Sequence, residues 1–206
     1  FRFWFSCPAE VGFDTTLLSA VDQLAYQAID SMMTPGMRIL AARKGKIFYN
    51  KSFGYHTYDK KQQVKSSDIY DLASLTKILG TLPLVIQSVQ RGKLSLETTI
   101  AELIPEWSNS NKASISLREM LSHYARLTPW IPFYKETLNK KGYPKKSIYQ
   151  SKPSPKFSLT VANDLYLKSD FGEELYSQIK ESELLDTLSY KYSDFPYYIL
   201  KKYYET

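Results

Sequence analysis

The sequence is poor in the residues that build cross-links and metal sites. It has one cysteine, Cys7, so an intrachain disulfide is excluded and the compartment is left open. Its two histidines, His56 and His123, lie far apart, without carboxylates at metal-ligand spacing. No apolar run reaches the roughly eighteen residues of a membrane span. We therefore predict no metal site, no cofactor and no membrane-spanning segment.

Composition and charge indicate a globular chain. With 43% hydrophobic and 15% aromatic residues, a chain of 206 residues can form one sizeable core or two small lobes. The formal net charge of +6 would suggest nucleic acid, but the lysines concentrate around residues 131–160, where prolines interrupt any period. Because no RNA-binding motif or basic helix adjoins them, we interpret the segment as a solvated loop and predict no nucleic-acid partner. A loop this long is typical of a functional lid, a rim or an elaborated region. The lysines are Lys135, Lys140, Lys141, Lys145, Lys146, Lys152 and Lys156.

The start of the chain combines an aromatic opening with a helical pattern. Residues 1–7 are too few for a signal peptide and lack its cleavage site, so we interpret them as a linker, an artificial chain end or a strand on the body. Asp14 is predicted to cap a helix whose apolar residues recur at helical spacing over residues 17–32. Pro35-Gly36 is predicted to end that helix.

A change of period follows. Residues 37–42 and 47–55 are extended runs, joined by a turn in which Gly45 supplies the positive φ that a tight hairpin needs. A helix followed by a hairpin predicts a helix packed on an antiparallel sheet.

The most informative stretch is the serine–lysine pair Ser74-x-x-Lys77, which precedes an apolar helix. Residues three apart on a helix lie on one face, so the ammonium can reach the hydroxyl. A lysine that enters an apolar helix is partly desolvated, which favours its neutral, basic form and predicts an activated serine. The alternative is a helix cap with a solvated lysine. Ser177 and Lys180 have the same spacing in a polar setting and serve as an internal control.

Helix signals continue to the end of the chain. Pro83 is predicted to kink the helix behind Lys77 or to mark a new start. Ser116 and Glu119 form a capping box at the head of a short helix, and a polar helix is predicted near residues 172–183. Asp194 is predicted to cap a last helix.

Three segments, taken in order, carry a family resemblance. They are Ser74-Leu75-Thr76-Lys77, Leu121-Ser122-His123 and Tyr192-Ser193-Asp194. With them the chain resembles the beta-lactamase-related serine hydrolases, which include class C beta-lactamases, D-alanyl-D-alanine carboxypeptidases and related esterases. The likeness extends from about Gly12 to the end of the chain. The sequences of residues 52–56 and 129–134 are most similar to those in the version of this domain that is fused behind a family 3 glycoside hydrolase in Bacteroides-like bacteria.

The resemblance implies roles for individual residues. Ser74 would be the nucleophile, Lys77 the base that takes its proton, and Tyr192 the phenol that helps to pass that proton to the leaving group. The backbone N–H of Ser74 would form half of an oxyanion hole. Asp194 and Trp130 would lie on the substrate-binding side.

Three departures accompany the likeness. Asp194 stands where many relatives have asparagine; an anion beside Lys77 would raise the pKa of that lysine, so either the carboxylate points away as a helix cap or the substrate is not a beta-lactam. Arg126 stands where relatives have glycine, so a need for positive φ would reshape the turn. His123 is predicted to pack and to bond the turn. The third family motif, Lys-Thr-Gly or His-x-Gly, does not occur in the 206 residues, so little activity is expected from this chain alone.

The sequence thus predicts an α/β (α+β) fold of the penicillin-binding type, represented by its N-terminal part. Residues 1–13 would be a linker or chain end, 14–57 a helix and hairpin of the sheet lobe, and 58–206 a helical lobe that contains the loop 131–160. The predicted function is acyl transfer from an amide or ester to serine. The alternative is a non-catalytic module attached to a glycoside hydrolase domain. The expected partners are a small-molecule or peptidoglycan-type substrate and a further copy of the chain, and the resemblance implies a periplasmic or cell-envelope location.

Overall fold

The first of two compact units is a helix packed on a small sheet. The computed structural model describes residues 4–205, which divide after Asp71 into two units, and the mixed α/β character is confirmed. The sheet has the order β1-β3-β2, with β1 parallel and β2 antiparallel to β3. The elements are β1 (Trp4–Phe5), a 3₁₀ turn (Pro8–Val11), α1 (Leu18–Asp30), β2 (Gly36–Arg43) and β3 (Lys46–Gly54).

The hairpin forms as its turn chemistry predicts. Lys44 and Gly45 both have positive φ, 51° and 75°, which matches the twist of the flanking strands. At the open end of the hairpin the two backbones come so close that a Cβ on Gly36 would lie 2.4 Å from the Tyr55 carbonyl oxygen. Only glycine fits there.

Helix α1 differs from the prediction at both ends. The Asp14 carboxylate accepts hydrogen bonds from the Thr16 N–H and hydroxyl, at 2.8 and 2.6 Å, and thus closes a local turn instead of capping the helix. The helix ends at Asp30, before Pro35, because Met32 adopts a positive φ of 56°. Its apolar face still packs on the sheet as predicted, around Ala25, Tyr49 and Phe53.

The aromatic opening contributes a strand, one of the three interpretations above. Trp4 pairs with Lys46 and Phe5 with Ile47, in parallel with β3. Residues 1–3 of the predicted segment lie outside the described part. This short strand covers part of the β3 edge, which would otherwise offer free backbone groups.

The second unit is mainly helical. Its regular elements are α2 (Leu82–Gln90), α3 (Ile100–Leu103), α4 (Leu117–Ser122), α5 (Tyr134–Thr137), β4 (Tyr149–Gln150), β5 (Leu159–Ala162), β6 (Leu165–Leu167), α6 (Phe171–Glu181) and α7 (Phe195–Glu205). Further turns are the 3₁₀ turns Ala73–Leu75 and Pro105–Trp107 and the π-helical turn Lys77–Thr81. Of the helices in the described residues, none combines the length and apolar character needed to cross a bilayer.

The core of the second unit is built around α4 and α7. Leu117 and Met120 of α4 and Phe195 and Ile199 of α7 have no exposed surface. Burial of such a side chain stabilises the fold by about 1.5–3 kcal/mol. The predicted capping box of α4 is present, because the Ser116 hydroxyl and the Glu119 carboxylate each bond the other residue's backbone. The core therefore holds the helix that directly precedes His123 and the helix that directly follows Asp194.

The segment 131–160 is more ordered than the predicted loop. It contains α5, β4 and the start of β5, and β4, β6 and β5 form a second three-stranded sheet. Thr137 is buried, and its hydroxyl bonds the Tyr134 carbonyl at 2.7 Å and the Tyr149 hydroxyl at 3.2 Å. These strands are too short for their alternation to appear in the sequence.

Candidate active site

The serine and lysine of the first motif contact each other. The Lys77 ammonium donates to the Ser74 hydroxyl at 3.2 Å. Ser74 lies in the 3₁₀ turn Ala73–Leu75, and Lys77 begins the π-helical turn. The structure therefore brings together the two groups that the spacing predicted to meet.

The backbone around Ser74 is irregular on both sides. Ala73, directly before it, has a φ of 43°, a left-handed conformation that costs a non-glycine residue about 1–3 kcal/mol and is frequent at functional sites. Behind Lys77, the backbone stays helical from the π-turn into α2, and Pro83 lies in the first turn of α2. A π-turn of this kind is also frequent at functional sites.

Asp194 forms an ion pair with Lys77. Its Oδ1 lies 2.7 Å from Nζ, with the lysine side chain 16% and the aspartate side chain 40% exposed. Burial alone lowers the pKa of Lys77, but hydrogen bonds to Asp194 and Tyr192 and their negative charges outweigh it, so the pKa is raised. The alternative in which the Asp194 carboxylate points away as a helix cap is therefore wrong. The expectation that desolvation leaves Lys77 neutral is also wrong, because the carboxylate favours the charged form.

Tyr192 completes the polar cluster. Hydrogen bonds with Lys77 and then with Ser74 lower the pKa of its phenol, while burial and the Asp194 charge act in the opposite direction. The Lys77 ammonium also lies 5.1 Å from the centre of the Tyr192 ring. A phenol beside a cation gives up its proton more readily than a phenol in water.

Ser193 and the turn before Trp130 hold this segment in place. The buried Ser193 hydroxyl donates to the Thr128 carbonyl at 2.6 Å, and the Asp194 N–H donates to the Pro129 carbonyl at 2.9 Å. Trp130 follows directly and is 56% exposed. Its role in substrate binding stays a prediction.

Two further rings lie beside this cluster: Tyr197, which was not among the predicted site residues, and His123. The Lys77 ammonium lies 5.5 Å from the centre of the Tyr197 ring, and burial raises the pKa of Tyr197. Its place three residues after Asp194 on the last helix was a usable signal, because residues at that spacing share a face. The His123 ring lies 4.5 Å from the Tyr192 ring. This histidine packs and bonds its turn, as predicted.

Arg126 itself adopts the conformation that glycine would supply. Its φ is 55°. The Arg126 Nε donates to the Leu185 carbonyl at 2.5 Å, and the Leu185 N–H donates to the Arg126 carbonyl at 2.8 Å. The turn is therefore retained, and these bonds offset the cost of the left-handed backbone.

A cavity of about 250 Å³ lies beside the ion pair. Its lining contains two lysines, one carboxylate and two phenols, so it suits a small polar ligand. Within residues 4–205, no three His, Cys, Asp or Glu side chains are arranged to hold a metal ion. The lining residues are Ala73, Thr76, Lys77, Thr81, Asp194, Tyr197, Tyr198 and Lys201.

Comparison with known proteins identifies the family. The family model described as Beta-lactamase matches residues 21–200. Protein flp of Staphylococcus aureus (strain N315) is 28% identical over 105 residues, which are 50% of this chain and 21% of that protein. Esterase EstB of Burkholderia gladioli is 25% identical over 129 residues, 60% of this chain and 33% of that protein.

Solved structures show the same fold. A class C beta lactamase matches with a TM-score of 0.63 at 18% identity, over 92% of this chain and 44% of that one. EstCE1, described as a hydrolase with promiscuous acyltransferase activity, matches with a TM-score of 0.59 at 22% identity, over 92% of this chain and 46% of that one. The chain thus spans less than half the length of each of these relatives. With the family model matched over most of its residues, the chain belongs to the beta-lactamase family of serine hydrolases.

Proposed function

We propose that Ser74 is a nucleophile that takes an acyl group from a small ester or amide and passes it to water. The observation that carries the proposal is the contact of 3.2 Å between the Ser74 hydroxyl and the Lys77 ammonium, with Tyr192 bonded to both. A serine is activated only by neighbours that accept its proton or stabilise its alkoxide, and both kinds of neighbour are present.

In this mechanism Lys77 stays a cation and Tyr192 takes the proton. As the Ser74 oxygen attacks the acyl carbon, its proton passes to the Tyr192 phenolate, and Lys77 stabilises the negative charge. The phenol then returns the proton to the leaving alcohol or amine as the bond to the acyl carbon breaks. This division of roles differs from the base role first assigned to Lys77, because Asp194 raises the pKa of that lysine.

The Ser74 N–H would donate to the oxyanion that forms on the acyl carbon. The family resemblance assigns the second donor to the strand that carries the third motif, which this sequence lacks. Because loss of one such donor typically lowers the rate by about 10²–10³-fold, acylation by this chain should be slow.

The proposed substrates are small esters and amides, including peptidoglycan-type peptides, in the periplasm or cell envelope. Support for esters comes from the esterase name of one relative. Support for peptides comes only from the family resemblance of the sequence, which includes D-alanyl-D-alanine carboxypeptidases. Trp130 and Asp194 would contact the substrate. Asp194 accepts hydrogen bonds and cannot donate them when ionised, so it would select a substrate with an N–H or O–H group at that point.

Labelling with a fluorophosphonate tests the proposal. The full chain is incubated for hours at pH 8, and the adduct is located by intact mass and by peptide mapping. We expect one adduct, on Ser74. An adduct on Ser177, or no adduct after prolonged exposure, would contradict the assignment.

The second candidate is a non-catalytic module next to a glycoside hydrolase domain. The Asp194 carboxylate, 2.7 Å from the Lys77 ammonium, favours it, because its charge raises the pKa of Tyr192 and so opposes the phenolate that the catalytic mechanism needs. The same labelling separates the two, since a non-catalytic module gives no Ser74 adduct even at alkaline pH.

A further inference from the structure

His123 contacts three consecutive residues of the segment that carries the phenol. The Lys191 N–H donates to the His123 carbonyl at 2.9 Å, and the Ser193 N–H donates to the imidazole Nδ1 at 3.2 Å. Between them, the Tyr192 ring lies 4.5 Å from the imidazole, tilted by 39°. The histidine thus bonds the chain before and after Tyr192 and packs on its ring.

The histidine itself is fixed on the core. It is the C-cap of α4, with φ 59° and ψ 30°, and its N–H donates to the Met120 carbonyl at 3.2 Å. Met120 has no exposed surface. A residue anchored in this way can hold an exposed neighbour, and Tyr192 is 41% exposed.

We propose that His123 is a positioning residue, whose neutral imidazole holds residues 191–193 so that the Tyr192 phenol stays beside Ser74 and Lys77. The inference rests on the proposed function only for the role of that phenol. Because a backbone N–H can only donate, Nδ1 must be the acceptor, and the imidazole proton must lie on Nε2.

Protonation would break this arrangement. A proton on Nδ1 would face the Ser193 N–H, and the imidazolium would add a cation near Lys77. Burial and then the charge of Lys77 lower the pKa of His123, and the Asp194 charge partly offsets them. The other titratable groups that face the ring are Tyr190, Tyr192 and Tyr197, with ring centres 6.0, 4.5 and 6.2 Å away. Neutral solution therefore keeps the acceptor, and acid removes it.

Two substitutions of His123 distinguish the effect of its hydrogen-bond acceptor, Nδ1, from the effect of its aromatic ring. His123→Asn keeps an oxygen that can accept from the Ser193 N–H and tolerates the left-handed backbone, but it loses the ring. His123→Phe keeps a ring and loses the acceptor. The readout is the Tyr192 pKa, measured by NMR of ¹³Cζ-labelled tyrosine; because the chain has 17 tyrosines, the signal is assigned with Tyr192→Phe.

We expect His123→Phe to raise the Tyr192 pKa toward the value of a free tyrosine, and His123→Asn to leave it near that of the wild type. Tyr124→Ala is the matched control, because Tyr124 is the next aromatic residue and contacts the Tyr190 ring at 6.1 Å. It should leave the Tyr192 pKa unchanged. An unchanged pKa in His123→Phe, or equal increases in both His123 variants, would overturn the inference.

The pH profile of Ser74 labelling is the second readout. Below the pKa of His123, which burial and Lys77 hold under the ordinary imidazole value of about 6.5, the wild-type rate should fall more steeply than the tenfold per pH unit that loss of phenolate alone gives. His123→Asn cannot take up that proton and should fall only tenfold per unit. Equal slopes would count against the inference. If Ser74 is never labelled, the proposed function fails, whereas the Tyr192 titration still decides the role of His123.

Discussion

The two serine–lysine pairs of this chain share a spacing and differ in everything around it. In the first, the Lys77 ammonium donates to Ser74 at 3.2 Å. In the second, Ser177 donates to Glu181 at 2.8 Å and Lys180 donates to the Glu106 carbonyl at 2.9 Å. Each member of the second pair has found another partner, so the spacing alone does not create a nucleophile.

The backbone accounts for much of the difference. Ser177 and Lys180 lie on the regular helix α6, where a serine meets the residue four positions later. Ser74 lies between a left-handed Ala73 and a π-turn, and Asp194 and Tyr192 reach Lys77 from a distant part of the sequence. The irregular backbone around Ser74, together with the distant segment that carries Tyr192 and Asp194, makes the first pair a candidate site.

The sharpest contrast between the pairs is expected from removal of each hydroxyl. Ser74→Ala should abolish fluorophosphonate labelling, because no nucleophile remains. Ser177→Ala is the matched control and should label at the wild-type rate. Loss of labelling in Ser177→Ala alone would reverse our assignment of the two motifs.

The next largest effect concerns the proton acceptor. Tyr192→Phe removes the phenol oxygen and should slow Ser74 labelling by about 10²–10⁴-fold, the usual contribution of a general base. Lys77→Arg keeps the positive charge and should lose less. If the arginine variant is as slow as Tyr192→Phe, the base is Lys77, since arginine does not deprotonate near neutral pH.

A smaller, opposite effect is expected from Asp194→Asn. The Asp194 charge raises the pKa of both Lys77 and Tyr192. Without it, more of the Tyr192 phenol is ionised at a given pH, so labelling should become severalfold faster at pH 7 and its acid limb should move to lower pH. A rate profile from pH 6 to 10 checks this. A slower variant would mean that the carboxylate assists the reaction.

Substitution near the second serine–lysine pair, at the end of α6, should change the stability of the fold and not the labelling. Lys112 is fully buried, and its ammonium donates to Asn111 at 2.8 Å and to the carbonyls of Lys180, at 3.1 Å, and Ser182 at the end of α6. Lys112→Met should lower the free energy of unfolding by about 1–3 kcal/mol, because these acceptors lose their donor. Labelling of Ser74 should not change. Urea unfolding and the labelling rate, measured together, test whether the α6 region is purely structural.

Lys112 should also make the free energy of unfolding depend on pH. Burial lowers the pKa of Lys112 to about 8, from 10.5, while the Glu183 charge acts against it. Between these values the unfolded chain binds more protons than the folded chain, so the wild type should gain stability relative to Lys112→Met as pH rises from 8 to 10.5. A stability difference that is constant over this window would show that the ammonium is not penalised by burial.

Local signals predicted much of the fold. The Gly45 hairpin and the capping box at Ser116 each depend on a few neighbouring residues, and both are present. The predicted start of α1 was wrong, because the Asp14 carboxylate closes a local turn with Thr16 and does not cap the helix. The small sheet within residues 131–170 has strands too short to show a period.

The candidate site was predictable only in part. Ser74 and Lys77 are neighbours in sequence, so their contact follows from helix geometry. The direction of the Lys77 pKa shift depends on whether Asp194 points toward it, and only tertiary structure decides that. The contacts of His123 with the residues around Tyr192 join positions far apart in sequence. They use backbone N–H groups, which no side-chain pattern reveals.

The central claim is that Lys77 remains a cation while Tyr192 gives up and takes the proton. The most direct test titrates both groups in one sample, with ¹⁵Nζ-labelled lysine and ¹³Cζ-labelled tyrosine, assigned by Lys77→Arg and Tyr192→Phe. Because the Lys77 pKa is raised and the Tyr192 pKa is lowered, the phenol should lose its proton at a lower pH than the ammonium. A lysine that deprotonates first would contradict the account and return the role of base to Lys77.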